Sequence, residues 1–320
     1  MKKTTCSIVV RAYNEENHIG KLLLGIAHQS VRDLEVILVD SGSTDMTVQI
    51  ATDSSWHFPV KVVRIEPEDF SFGRSLNYGI SAADSENIVI ASAHVYPVYS
   101  DWIEKLITPL AEPEIALSYG KQRGNALTRY SEHQIFGRWF PDQSQRKRSN
   151  PFCNNANAAI KRSLWERHPY DETLSGLEDL EWGHWAVENG FAIAYVVEAE
   201  VIHVHQDTPS GVYNRYRREA MAFKRIFPQE TFSAWDFFRL LSGNILSDIW
   251  HAGREKKLIE SFSSILWFRF MQFLGTYRGY RQTGPLTWEL RKTFYYPHGF
   301  RGERMEKQRS LSPIKYNDGV

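Results

Sequence analysis

The sequence predicts an α/β fold, a doubly wound and mostly parallel sheet with an appended α-helical C-terminal region. Three observations carry this reading. Four rounds of an apolar run followed by a helix-spaced segment fill residues 6–110. The runs are continuously apolar, the mark of strands covered on both faces, and alternation of strand with helix favours a parallel sheet. From residue 211 onward the composition becomes basic and aromatic at helical spacing.

In chain order, Cys6 to Val10 reads as a buried strand leading into Arg11-Ala12-Tyr13-Asn14-Glu15-Glu16. Ile19, Leu22, Leu23, Ile26 and Ala27 then mark an amphipathic helix over residues 17–29. The second strand, Val36 to Val39, stops in a polar loop, and a helix over residues 45–53 follows. Val60 to Ile65 is a third strand, and Leu76, Ile80 and Ala83 share a face of a helix over residues 73–83. Ile88 to Ala91 is a fourth strand, running into Ser92-Ala93-His94. Asp101 and Glu104 form a capping-box pattern ahead of Ile103, Leu106, Ile107 and Leu110.

The order loosens after Ser118. Gln145-Arg146-Lys147-Arg148 reads as a solvated loop. Residues 154–162 read as a strand with a polar entrance, Asn154-Asn155-Ala156-Asn157. A helix over residues 175–189 starts with a second capping-box pattern, Ser175 and Glu178, and stops at Gly190. Residues 191–205 are β-rich and end in His203-Val204-His205. Residues 213–225 and 234–282 read as helical, and residues 300–320 as a polar, fraying end. A division into 1–210 and 211–320 follows.

Composition excludes several classes. Lys and Arg number 38 and Asp and Glu 38, so no global charge recruits nucleic acid or an anionic membrane, which leaves only local patches to do so. Two cysteines make neither a disulfide framework nor a zinc cluster. Polar residues running straight into the first strand point to the cytosol. A membrane span needs about 20 apolar residues, and the most apolar late stretch, residues 262–275, is interrupted by Arg269 and Gln272. A glycine-rich turn after the first strand, which a dinucleotide or P-loop site requires, is absent.

Ligands of open α/β sheets bind beyond the carboxyl ends of the strands. The loop after the second strand, Asp40-Ser41-Gly42-Ser43-Thr44-Asp45, lies there. Two readings stand: a small-molecule site around Asp40, or a strand end whose Thr44 or Asp45 caps the next helix.

Three motifs resemble the nucleotide-sugar-dependent glycosyltransferases of family 2, with the glycosyltransferase A fold. They are Val10-Arg11-Ala12-Tyr13-Asn14-Glu15, Val39-Asp40-Ser41-Gly42-Ser43-Thr44-Asp45, and Glu178-Asp179 with Glu181-Trp182 behind. The resemblance covers about residues 5–205. It implies that Tyr13 and Asn14 line the nucleotide base, that Glu15 or Glu16 binds ribose or orders the loop, and that Asp40 accepts a hydrogen bond from the base. A carboxylate accepts an imide N–H well, favouring uracil or thymine over cytosine. Ser41 and Gly42 let the ligand approach. Arg74 and Asn77 match positions near the diphosphate, and Asn154, Asn155 and Asn157 match the segment across the donor sugar. Asp179 matches the base of an inverting transfer, with Glu178 beside it. Trp182 and Trp185 are core or a stacking face for an acceptor sugar.

The sequence departs from the family at the fourth strand. The family's metal-holding Asp-x-Asp is replaced by Ser92-Ala93-His94. Either His94 coordinates a divalent cation, Mn or Mg, together with His203 or His205, or His94, His203, Arg215, Arg217 and Arg218 offset the diphosphate charge without metal. Imidazole suits Mn, Fe or Zn better than Mg. The implied reaction moves a sugar from a nucleoside diphosphate donor, UDP or dTDP, to a saccharide or lipid-linked saccharide acceptor in surface polysaccharide synthesis. The rival is an inactive nucleotide-sugar-binding partner or regulator of such a system. Trp235, Phe237, Phe238, Leu240, Leu241, Ile245, Leu246, Ile249 and Trp250, with Arg269, Arg278, Arg281, Arg291 and Lys292, suit either peripheral contact with the inner face of the plasma membrane or a bundle that packs on the catalytic region or dimerises.

Overall fold

The computed structural model describes residues 4–282 except residue 206. Arg291, Lys292 and residues 300–320 lie outside the described residues. The first half is strand and helix in turn: β1 (Cys6–Ala12), α1 (Ile19–Ala27), β2 (Leu34–Asp40), α2 (Thr47–Ala51), β3 (Val60–Arg64), α3 (Phe72–Ser81) and β4 (Asn87–Ser92). Then follow β5 (Val95–Pro97), α4 (Trp102–Ile107), β6 (Ile115–Arg123), α5 (Tyr130–Trp139), β7 (Gln145–Arg148), β8 (Asn157–Lys161), α6 (Arg162–Arg167), α7 (Glu178–Glu188) and β9 (Ala192–His203). Three helices close the described chain: α8 (Pro209–Ile226), α9 (Ala234–Arg254) and α10 (Leu258–Arg281).

The sheet order is β3-β2-β1-β4-β8-β6-β9-β5, with β7 also on β9. From β3 to β4 every pairing is parallel. The chain winds outward through β1, β2 and β3, then returns to place β4 on the other side of β1. A crevice therefore opens at the carboxyl ends of β1 and β4, where such sheets bind ligands. Beyond β4 the sheet is mixed, because β8 runs antiparallel to both β4 and β6 while β6 and β9 are parallel.

Alternate side chains of each strand feed two cores. Ile8, Val10, Val36 and Leu38 face α1 and α4 through Leu22, Leu23, Ile26 and Trp102. Val9, Ile37, Val39 and Ile90 face α3, α6 and α7 through Leu76, Ile80, Trp165 and Trp182. Burial on both faces explains why the strands read as unbroken apolar runs. Trp182 is fully buried and its indole N–H donates to the His168 carbonyl, so it belongs to the core.

Several local expectations are corrected. Residues 145–148 form an edge strand, β7, with Arg146 on Glu112 and Lys147 on Glu114. Charge on an edge discourages further pairing. The Asp101 capping box does not form: Asp101 makes no side-chain cap, and Glu104 accepts from Ser30 instead. Nor does the Ser175 box, because Leu177 is left-handed at φ 56° and Ser175 donates to the Arg218 carbonyl. Strand β6 and helix α5 lie in the stretch read as loosely ordered.

α8 and α10 pack closely at Gly275 and Gly279, where a Cβ would run into the backbone carbonyls of Tyr213 and Arg217. Arg269 is another correction. It is 2% exposed and holds Asp248 with Nε and Nη2 at 2.7 and 3.0 Å, while Gln272 and the Ser131 carbonyl accept its other N–H groups. Ser131 Oγ donates to Asp248 at 2.6 Å, which joins α5 to the α9–α10 hairpin. Arg269 thus adds no charge to the surface.

Removing one member of a buried, fully bonded ion pair leaves the other uncompensated, at a cost of about 3–5 kcal/mol. Asp248→Ala is expected to lower the urea unfolding free energy by about that amount. The pair Asp248→Leu with Arg269→Met should recover most of the loss. A double variant as unstable as the single one would show that the charges themselves hold the hairpin.

Candidate active site

The loops after β1 and β2 are laced into one rim of the crevice. Asn14 adopts a left-handed conformation at φ 54°, which asparagine tolerates. Its N–H donates to Ser43 Oγ and its Oδ1 accepts from the Thr44 N–H at 2.8 Å. Ser41 N–H donates to the Ala12 carbonyl, and both Asp40 oxygens accept from the Ser43 N–H. Gly42 sits at φ 91° with Pro67 against it, a conformation that a side chain would strain. Asp45 accepts from Thr47 and from the Glu16 N–H, so it ties the rim to α2. Tyr13 is half-buried on this rim. Asp40 is 4% exposed, but a carboxylate has about four acceptor positions and its single backbone donor leaves capacity.

Opposite the rim, register gathers three histidines. β5 pairs with β9 so that Val95 faces His203, and the Val204 N–H donates to the His94 carbonyl at 3.2 Å. His94 is thereby flanked by His203 and His205, with ring centroids 5.1 and 5.7 Å away. One ligand atom of each lies within 4.8 Å of the others. Each Nδ1 has a partner: Glu15 at 2.8 Å for His94, Gln122 at 2.7 Å for His203, and Glu132 at 2.9 Å for His205. Arg215 also reaches the His205 Nδ1 at 2.9 Å and grips Glu132. His203 Nε2 is buried with no hydrogen-bond partner. Burial and the neighbouring His205 drive its pKa well below the ordinary histidine value. Burial works on His94 in the same direction, but Glu15 outweighs it and the net shift is upward.

These imidazoles fit a divalent cation. Anchoring one ring nitrogen to a carboxylate or amide is how metal-binding histidines are oriented, although the other nitrogen of His94 meets Ser92 Oγ at 3.0 Å, a contact a metal would displace. An orphaned, neutral Nε2 at the centre supplies a donor. Nitrogen donors of this kind suit Mn, Fe, Co or Zn better than Mg.

The third part of the site is a carboxylate pair at the start of α7. Glu178 and Asp179 are 4% and 9% exposed. Arg11 at the end of β1 donates to Glu178 Oε1 at 2.8 Å, and its guanidinium lies over the Phe72 ring at 4.7 Å. Arg218 covers the same ring at 4.6 Å. Asp179 accepts from the backbone N–H groups of Asn155 and Leu180 at 3.1 and 2.8 Å. Burial, reinforced by the Glu178 charge, nevertheless pushes the Asp179 carboxyl up to about 7. A carboxylate tuned in this way can take a proton near neutral pH. Leu177, a bulky residue in left-handed geometry just before the pair, stores about 1–3 kcal/mol of strain.

Other residues singled out by the sequence have these partners. Arg74 pairs with Glu172 and Asp69, and Asn77 donates to the Tyr170 carbonyl and to Glu172 while accepting from Trp165; both pin the 169–173 segment. Asn157 is a core staple between Trp102, Lys121 and Ala199, whereas Asn155 lies against Glu178 and Tyr170. Arg215 is paired with Glu132 and Asp207. Three contributors escaped the sequence reading: Arg11 as a partner of Glu178, Gln122, and Glu132. Each acts across 73 or more residues of chain, beyond any local pattern.

The glycosyl transferase family 2 model matches residues 7–168. The chain is 27% identical over 222 residues to the O-antigen chain rhamnosyltransferase RfbN of Salmonella typhimurium, covering 66% of this chain and 69% of that protein. Among solved structures it resembles the mannosyltransferase PcManGT of Pyrobaculum calidifontis in complex with GDP-Man and Mn2+, at TM-score 0.58 and 19% identity over 84% of each chain. It also resembles S. aureus TarS 1-349 in complex with UDP-GlcNAc, at TM-score 0.54 and 16% identity over 84% of this chain and 90% of the other. These structures share the glycosyltransferase A fold with it.

The Asp179 shift has a consequence for stability. A folded pKa near 7 against about 3.9 unfolded means that the native state holds the proton more tightly. The stability this contributes is complete below about pH 4 and is lost as pH rises through 7. Asp179→Asn is therefore expected to melt at the same temperature as the parent at pH 4 and at a higher one at pH 8. A melting difference that does not change with pH would contradict the shift.

Proposed function

The chain belongs to glycosyl transferase family 2, and from that membership we propose that it is an inverting transferase moving a sugar from a nucleoside diphosphate donor to a saccharide or lipid-linked saccharide acceptor. The observation that carries the proposal is the buried carboxylate pair at the start of α7, Glu178 gripped by Arg11 and Asp179 fixed by the N–H groups of Asn155 and Leu180, with burial raising the Asp179 carboxyl. The acceptor hydroxyl gives its proton to Asp179 as its oxygen bonds to the anomeric carbon. The bond from that carbon to the diphosphate oxygen breaks on the opposite face, and the nucleoside diphosphate leaves with the electron pair. A base in this role contributes roughly 10²–10⁴-fold.

The donor's nucleotide lies on the rim formed by Tyr13, Asn14, Asp40, Ser41 and Gly42. Asp40 accepts the imide N–H of a uracil or thymine ring, giving UDP or dTDP. Glu15 orders the rim by reaching His94. His94, His203 and His205 would hold the divalent cation, Mn2+ in preference to Mg2+. When bound, the ion supplies positive charge that stabilises the leaving diphosphate. PcManGT with GDP-Man and Mn2+, and TarS with UDP-GlcNAc, support a nucleotide-sugar donor on this fold. RfbN, an O-antigen chain rhamnosyltransferase, supports surface polysaccharide assembly as the setting. Residues 1–210 bind donor and perform transfer, and residues 211–320 serve the acceptor side.

A thermal-shift screen of nucleotide sugars with and without Mn2+ tests this reading, since a ligand at 100 times its Kd stabilises by about 2.7 kcal/mol. The correct donor should raise the melting temperature, more with Mn2+ than with Mg2+. In Asp179→Asn the shift should persist while turnover falls roughly 10²–10⁴-fold. In His203→Ala the difference between Mn2+ and chelator should disappear. A turnover rate unchanged by thorough chelation would remove the metal from the proposal. Full turnover in Asp179→Asn would remove the base.

A further inference from the structure

Among the described residues, thirteen large apolar side chains are exposed, and eight of them sit on the α9–α10 hairpin. Such concentration marks a contact surface, since single exposed apolar residues are ordinary but contiguous ones are not. The inner side of the hairpin is fully used, with Asp248, Ala252, Ile265 and Arg269 buried against α5. The outer side is a different surface. Along α9, Trp235, Phe238, Leu246 and Trp250 recur at intervals of three, eight and four residues, and are 56–72% exposed. Along α10, Ile259, Leu266 and Phe270 recur at seven and four. Each set forms one stripe of its helix.

Charge says what covers this surface. The turn joining the helices carries Arg254, Lys256 and Lys257, all exposed, beside Trp250 and beside Ile259, which is 98% exposed. The Arg254 guanidinium lies 4.7 Å over the Trp250 ring. Glu255 is engaged by Lys257 and by the Tyr130 hydroxyl, which leaves Glu260 as the acid of the tip facing solvent. Exposed tryptophan and isoleucine ringed by basic residues match an anionic lipid headgroup layer, the apolar groups entering it and the cations meeting phosphate. No described helix is long and apolar enough to cross a membrane, so contact means lying in the interface.

We propose that the tip and outer face of the α9–α10 hairpin dock on an anionic bilayer surface. The proposal stands on the hairpin alone and does not require the sugar-transfer reading. If both hold, docking brings the crevice to the surface where a lipid-linked acceptor is anchored.

The test is co-sedimentation of the full chain, without substrates, with vesicles of phosphatidylcholine alone or mixed with phosphatidylglycerol. Binding to the mixed vesicles is expected, with a blue shift of tryptophan fluorescence, and weak binding to phosphatidylcholine. Trp250→Glu with Ile259→Glu should lower partitioning at least tenfold. Lys256→Glu with Lys257→Glu should lower it about tenfold or more at low salt and much less at high salt. The circular dichroism spectrum and melting temperature should be unchanged in both variants, because all four side chains are exposed. Wild type that stays in the supernatant with anionic vesicles at low salt overturns the proposal. So does equal binding by the variants, or a solution dimer that the Trp250 and Ile259 substitutions dissociate, which would make a second copy the occupant.

Discussion

The ion pair between Arg11 and Glu178 is the contact on which the geometry of the candidate site turns. It joins the end of the central strand β1 to the start of α7 across 167 residues of chain. The same guanidinium lies on Phe72 of α3, whose ring Arg218 of α8 also covers. Four elements therefore meet at one aromatic ring and one carboxylate. Burial, reinforced by the neighbouring Glu178, is what raises the Asp179 carboxyl. Two adjacent carboxylates in one desolvated site cannot both ionise cheaply, so their environments divide them into an anchored anion and a group that titrates near neutrality. The backbone N–H groups of Asn155 and Leu180 fix the oxygens of the second without cancelling that division.

The histidine cluster obeys the same logic of distant anchoring. Its three rings converge because β5 and β9 pair in one register, and each is fixed by a residue from another element: Glu15 after β1, Gln122 on β6, and Glu132 on α5. α5 carries a second duty one residue earlier, where Ser131 receives the buried Asp248–Arg269 pair. The C-terminal helices are thus bonded into the wall of the site. Arg215 of α8 adds a further strut by gripping Glu132 and His205 together. The sheet region and the C-terminal helices meet through these polar contacts and through the apolar cluster of Tyr130, Ala252 and Ile265, while the outer face of the hairpin keeps large apolar side chains exposed.

Much of the fold was legible because its signals are local. The strands β1, β2 and β4 bury both faces and so read as apolar runs, and their helices show spacing within a few residues. β6 was hidden because Ser118, Gly120 and Gln122 interrupt a strand that is nevertheless buried. The basic run of β7 looked like a loop because edge strands carry charge. The capping boxes failed for a physical reason: Ser175 and Glu104 found tertiary partners that outcompete a local cap. Arg269 looked like surface charge because its partner Asp248 lies 21 residues back on another helix. In the site, Asp40, Asp179 and His94 were nameable from motif and position. The partners of their neighbours were not, because Arg11 on Glu178, Gln122 on His203 and Glu132 on His205 acquire meaning only when the chain has closed.

The central claim, a base prepared by burial beside a carboxylate that Arg11 keeps charged, can be measured without substrate. Carbon-13 NMR of aspartate-labelled protein, with the Asp179 carboxyl assigned by its loss in Asp179→Asn, follows that group directly through pH. A midpoint near 7 is predicted. A midpoint in the ordinary aspartate range, about 4, would contradict the account.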